Sequence, residues 1–452
     1  MINVSVTQAA TINTTGGATL TAPVNFGAGE PSSDITGAGT LTLDGTGVTA
    51  LGGNGFNELV NFNMTGGLID IQTGVTLRNG GFSNGIWTNN KASLAVGSGA
   101  TFDVWDGNPV LINALTGAGT VTIGADGSFG FVGAGARSLV LGVNNGSGTF
   151  TVPIKGNLLD GAGGTLSLIK EGNGTQTLSG TLTYKDGTTV NGGSLVRQVT
   201  VDFGFFNKNF TSDATLAFVV ASGANLKLLG AIDGTGNIVK TGGGKLSLGI
   251  FIDGPVTVSL TGTSSVIDVQ GGTVQNDWGN TGWAGNLAGL NLASGTTFDL
   301  WDANSTVVDE LTGSGTITKG NGDGLSTLTL GVNNGSGTFG GAINDGGGGV
   351  ALIKQGTGTQ TLNSASTYTG TTLVSADTLL VNGSLGNTAV SVGSAGTVGG
   401  SGALGGSGAL GGSLAFDGNS FLTIVDINDA LAVTGAVIFG AGSGFDNILG
   451  WN

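Results

Sequence analysis

The 452-residue chain has no cysteine and no histidine. The first absence removes disulfides, thiolate metal sites and cysteine nucleophiles; the second removes the commonest general base and the commonest metal ligand. No cofactor is expected. Proline is scarce at 5 residues, and without glycine at every third position a collagen helix is excluded. Charge is scarce as well. Charged residues make up 9% of the chain, and 13 basic against 28 acidic side chains give a net charge of −15, which argues against nucleic acid and anionic membranes as partners. No run approaches the ~18 apolar residues of a membrane-spanning helix. The opening MINVSV lacks the basic start and apolar block of a signal peptide, so an exported protein is expected to be in its mature form here.

Glycine is abundant, with 93 residues. Common disorder combines low hydrophobicity with high charge, whereas hydrophobic residues reach 38% here and the mean hydropathy is +0.28. Enough Val, Ile, Leu and Phe exist to fill a core, and a long thin core fits this composition better than a round one. Short alternating runs, such as TLSL at 165–168 and TQTL at 175–178, are cut every few residues by Gly, Asn-Gly or Asp-Gly. Those residues supply the φ > 0 positions of tight turns, so the pattern is strand and turn with no room for helices.

The chain is organised around a duplication. LIKEGNGTQTLSGTLTYKDGTTVNGGSL at 168–195 returns as LIKQGTGTQTLNSASTYTGTTLVSADTL at 352–379. ITGAGTL at 35 matches IDGTGNI at 232, FDVWD at 102 matches FDLWD at 298, and LGVNNGSGTF recurs at 141 and 330. The offset holds near about 196 residues and then shrinks, so the first copy carries extra residues around 124–140 and between 150 and 168. We read N-terminal coils at 1–34, blocks at 35–195 and 232–381, connecting coils at 196–231, a Gly/Ser-rich segment at 382–413 and strands at 414–452. A smaller period of about 20–25 residues, marked by G-x-G-[TN]-[LIV] turns at Gly37, Gly117, Gly234 and Gly313, indicates stacked coils. The fold expected is all-β: a parallel β-helix or β-solenoid with two tandem homologous blocks.

The pattern TGxGxLxLSGxxTYxxGTTVNxGxL at 172–195 and 356–379 resembles the autotransporter-associated β-strand repeat of passenger regions in bacterial surface proteins. The segment from Thr378, TLLVNGSLGNTAVSVGSAGTVGGSGALGG, resembles the stretch that commonly comes after the last such repeat in that family. The resemblance implies a right-handed β-helix, secretion, and an extracellular or outer cell-surface location. No run of amphipathic barrel strands comes after Asn452, which is expected of a passenger segment or of another route to the surface.

Among local motifs the FD[VL]WD pair stands out. If Phe102 and Val104 face inward, alternation sends Asp103 and Trp105 outward, and likewise Asp299 and Trp301. These four residues are the candidate glycan-binding set: an outward Trp beside carboxylates forms a sugar-stacking platform, and Trp87 and Trp283 would lie on the next coil. The plainer reading packs the Trp under a loop. Paired carboxylates such as Asp103 and Asp106 would suffice for glycoside hydrolysis, but Asp in a Gly-rich solenoid more often closes turns. Gly244-Lys245 is followed by Leu246, not by the Ser or Thr of a phosphate loop. Asp345-Gly346 and the Asn321 to Gly324 run hint at Ca²⁺ turns without the tandem repeat such sites need. Tyr184 and Tyr368 sit at matching places, which points to packing, and Gln176 and Gln360 share the inward face, where their amides need backbone partners.

The function expected is therefore non-enzymatic: a secreted or cell-surface structural solenoid, a stalk or fibre. Neither the strand at Met1 to Val6 nor the end near Trp451 is visibly capped, so head-to-tail self-association into filaments is expected. The alternative is an adhesin or glycan-binding module, and a third reading is a polysaccharide-degrading β-helix enzyme.

Overall fold

The computed structural model describes residues 33–400 except 51–59, 80–84, 105–108, 124–136, 152–153, 155–164, 181, 185, 201–202, 208, 250–255, 278–281, 284, 302–304, 322–323 and 387. Outside that span it describes the strands Val4–Val6, Ala10–Thr14, Leu20–Thr21, Ala403–Leu404, Leu414–Phe416, Phe421–Thr423, Val437–Phe439 and Gly444–Asp446. The described residues contain no helix, and their strands pair in parallel. The described part of the Gly/Ser-rich segment contains the strands Ser384–Leu385, Val390–Gly399 and Ala403–Leu404.

Each coil lays down up to three short strands, one for each sheet. Ser33–Gly37, Thr40–Gly45 and Gly47–Ala50 form one coil, and Val60–Met64, Leu68–Ile71 and Val75–Arg78 lie beside them in register. Period-two alternation selects the inward side chains: Val60, Phe62 and Met64 are buried while Asn61 and Asn63 face out. Each fully buried Leu, Ile, Val, Phe or Met contributes ~1.5–3 kcal/mol. The G-x-G turns connect successive strands of a coil, the first to the second at Gly37 and the second to the third at Gly117 and Gly313. Gly117 has φ 105°, and a Cβ there would stand 2.2 Å from the Val96 carbonyl oxygen of the previous coil. Only glycine lets the coils approach so closely at this corner.

The chain forms two units, residues 1–199 with 206–217, and residues 200–205 with 218–452. In the middle sheet of the first, register partners are separated by 25 residues (Leu68 beside Ser93), 21 (Leu94 beside Leu115), 33 (Gly117 beside Phe150), 28 (Gly148 beside Gln176) and 19 (Thr175 beside Ser194). In the second the series is 23 (Val266 beside Gly289), 21 (Leu290 beside Leu311), 26 (Gly313 beside Phe339), 23 (Gly337 beside Gln360) and 19 (Gln360 beside Leu379). The two series agree to within two residues, save at the two coils where the sequence carries its extra residues.

Candidate functional site

The FD[VL]WD segments begin in the strands Thr101–Asp103 and Thr297–Asp299. Phe102 and Phe298 point inward and are fully buried, meeting Trp87 and Trp283 edge to face with centroids 5.8 and 6.0 Å apart. Trp87 also stacks on Phe62 at 4.1 Å. Trp87 and Trp283 are thus core residues rather than part of a surface platform. Their indole nitrogens donate to Asn79 Oδ1 (2.7 Å) and Asn276 Oδ1 (3.3 Å), which satisfies the one polar group each ring carries.

Asp103 and Asp299 lie on the opposite side of their strands from the Phe residues, but both are buried, at 0% and 8% exposure. The expectation that they are exposed is corrected, because the outer face of this sheet is covered. In the first unit Asp103 faces its register neighbour Arg78 and forms an ion pair at 3.2 Å. In the second, Gln275 replaces the arginine: its Nε2 donates to Asp299 Oδ2 at 3.2 Å, and its Oε1 accepts from Lys245 Nζ at 2.7 Å. Asp299 Oδ1 accepts from the backbone N–H groups of Trp301 (2.9 Å) and Gly320 (2.7 Å), the turn-closing role. Trp301 has φ 43°, a left-handed conformation that turns its half-buried ring back over the sheet. Lys245 Nζ stands 5.9 Å from the ring centroid, and a Cβ on Gly320 would stand 3.0 Å from the ring edge. Lys245 therefore covers one face of the ring. Trp105 lies outside the described residues.

A second set of side chains has no counterpart among the candidates. Lys170, Lys240 and Lys354 are fully buried at strand ends. Each ammonium is caged by carbonyl oxygens: Lys170 by Glu171, Gly172 and Gly192; Lys240 by Thr241, Gly242 and Gly271 at 2.8–3.0 Å; Lys354 by Gln355, Gly356 and Ala376. Two acceptors come from the lysine's own turn and one from the adjacent coil, so each cage ties two coils together. Burial lowers all three lysines from their ordinary range, Lys240 to about 8; the nearby carboxylates of Glu171, and of Asp377 and Asp309, oppose this at Lys170 and Lys354. The sequence signal is K-x-G-x-G at 170, 240 and 354, in which glycines let the turn carbonyls converge.

Gln176 and Gln360 are buried and use their amides on the backbone of Leu115 and Leu311, two coils away. Tyr184 and Tyr368 are buried, with their hydroxyls hydrogen-bonded to Thr188 Oγ1 (2.6 Å) and Thr372 Oγ1 (2.7 Å). Asp345 closes a turn, its Oδ1 accepting from Val350 N–H at 2.7 Å and its Oδ2 from Thr369 N–H at 3.0 Å. Among the described residues no group of three or more acidic side chains is arranged to hold a metal ion.

The model of the passenger-associated-transport-repeat family matches residues 168–196 and 352–381, the segments that supply Lys170, Gln176 and Tyr184 and their counterparts Lys354, Gln360 and Tyr368. This is a β-solenoid that carries two passenger-associated transport repeats. Its lysine cage, glutamine clamp and buried tyrosine all fall within the passenger repeat and appear in both copies. The chain is also similar to the adhesin BmaC autotransporter of Brucella suis biovar 1 (strain 1330), with 29% identity over 259 residues. That match covers 56% of this chain and only 7% of the relative's length. No solved structure matches the chain.

Proposed function

We propose that the chain is a passenger segment at a bacterial surface or in secreted form, and that its role is structural: a non-enzymatic solenoid that spaces or displays other parts of its protein. The observation that carries this reading is where the distinctive polar side chains are engaged. Asp103, Asp299, Gln176, Gln360 and the caged lysines all hold strands or coils together. A pair of carboxylates facing a cleft, as glycoside hydrolysis needs, is not formed by Asp103 or Asp299. Because strands stack along the solenoid axis, we further propose that isolated chains add head to tail.

The name of the Brucella relative favours a second reading, adhesion, in which repetition raises avidity. A glycan array and a reducing-sugar assay on acidic polysaccharides, both with the full chain, test the structural reading. It expects neither retention nor product; saturable retention on one glycan class would replace it by the adhesin, and released sugar by the enzyme.

A further inference from the structure

The contact that holds one turn differs between the two units. In the first, the turn at 144–146 is held by Asn113, whose Oδ1 accepts from Asn144 N–H (3.1 Å) and Gly146 N–H (2.6 Å). In the second, Asp309 Oδ1 does the same work, accepting from Asn333 N–H (2.7 Å) and Gly335 N–H (2.8 Å). The next residue is Ala114 in the first unit and Glu310 in the second.

Asp309 is 5% exposed. A Cβ on Gly335 would stand 2.4 Å from Asp309 Oδ2 and 2.6 Å from Glu310 Oε2, so two carboxyl groups meet over a single glycine. Like charges this close disfavour joint ionisation. The Glu310 carboxyl is raised above its usual range by burial first, and also by the charge of Asp309 and a hydrogen bond to it. The charges of Asp377 and Asp309 both act on Lys354 within its carbonyl cage. The neighbouring strands Gly289–Leu292, Leu311–Gly313 and Leu325–Leu330, and the turn at 331–336, bring no titratable side chain.

We propose that Glu310 holds a proton shared with Asp309, and that this proton makes the turn at 333–335 an acid-tightened latch that the first unit lacks. With its proton, Glu310 donates to Asp309, and the aspartate keeps both turn amides. Without it, two negative charges face each other in a half-buried corner. Linkage sets the sign: a carboxyl whose folded pKa is raised contributes stability below its unfolded value, and loses it as pH rises through the folded one. A passenger carrying this latch tightens its second unit when its surroundings turn acidic.

Hydrogen exchange on the full chain at pH about 5 and about 7.5, corrected for intrinsic rates, tests the latch. The amides of Asn333 and Gly335 are expected to gain several-fold protection at the lower pH, the gain growing with the amount by which Glu310 is raised; those of Asn144 and Gly146 are expected not to. Two variants locate the cause. Glu310→Gln keeps a donor without a titrating group, and Asp309→Asn with Glu310→Ala installs the residues of the first unit; either is expected to abolish the difference between the two pH values. An equal pH response in both turns of the unaltered chain overturns the proposal, as does a response that persists in the variants. The comparison within the unaltered chain decides even if a variant fails to fold.

Discussion

Gln176 and Leu115 are 61 residues apart in sequence, yet the Gln176 amide replaces a strand for Leu115: Oε1 accepts from the Leu115 N–H at 3.0 Å and Nε2 donates to its carbonyl at 2.8 Å. The coil between them passes at Gly148, where a Cβ would stand 3.0 Å from Gln176 Oε1 and 2.5 Å from the Leu115 oxygen. Glycine leaves the gap and glutamine fills it. Gln360 repeats the arrangement with Leu311, at 3.1 and 2.9 Å, past Gly337.

Replacing the amide should expose this dependence. Gln176→Ala leaves a buried N–H and a buried carbonyl without their partner, each worth about 1–3 kcal/mol. Urea titration should show a loss of that order for Gln176→Ala and for Gln360→Ala, and near-additive losses in the double variant because the two clamps share no partner. A loss below about 0.5 kcal/mol in either single variant would show that water or backbone takes over the amide's role.

The lysine cages predict selective chemistry. Acylation of the folded chain at mildly alkaline pH should modify exposed Lys91 readily and leave Lys170, Lys240, Lys319 and Lys354 unmodified, since those four are fully buried. Peptide mapping before and after denaturation checks this. Acylation of Lys354 at the rate of Lys91 would mean that the cage opens freely.

Alkali should unfold the chain through its only two tyrosines. Burial pushes Tyr184 up to about 12 and Tyr368 higher still, while the hydrogen bonds to Thr188 and Thr372 act weakly in the other direction. A raised tyrosine contributes stability below its unfolded pKa of about 10 that is lost as pH rises through the folded value. Lys240 has the opposite sign: with its folded pKa lowered to about 8, the unfolded chain holds more protons between there and 10.5, so its contribution grows with pH over that window. Stability should therefore hold or rise slightly up to pH about 10 and then fall. Phenolate absorbance should appear only together with the loss of β-structure; phenolate formed before unfolding would contradict the burial of both rings.

Two glycines separate conformation from contact. Gly295 has φ 78° with no atom within 4 Å of a Cβ, whereas Gly313 has φ 88° with the Leu292 oxygen 2.1 Å from one. Gly295→Ala should cost about 1–2 kcal/mol, the left-handed penalty. Gly313→Ala adds a steric overlap worth ~1–3 kcal/mol more. Thermal melts of the two variants should rank in that order, and equal losses would show that the coils can part at the turn.

The strand-and-turn pattern, the duplication, the stacked coils and the two longer coils of the first unit were legible in the sequence, because period-two alternation and glycine turns are local rules repeated along the chain. The inward Gln176 and Gln360 and the packed tyrosines were legible for the same reason. The contacts each polar side chain makes were not, since register brings together residues 18 to 33 positions apart. Alternation placed Asp103 and Asp299 on the outer side of their sheet, but only the tertiary structure decided that Arg78 and the returning Trp301 cover them. The lysines looked scattered in a chain with few cations. Among the described residues seven basic side chains are buried, and at Lys170, Lys240 and Lys354 only the convergence of carbonyls from adjacent coils makes that burial tolerable, a property of stacked turns that no single turn possesses.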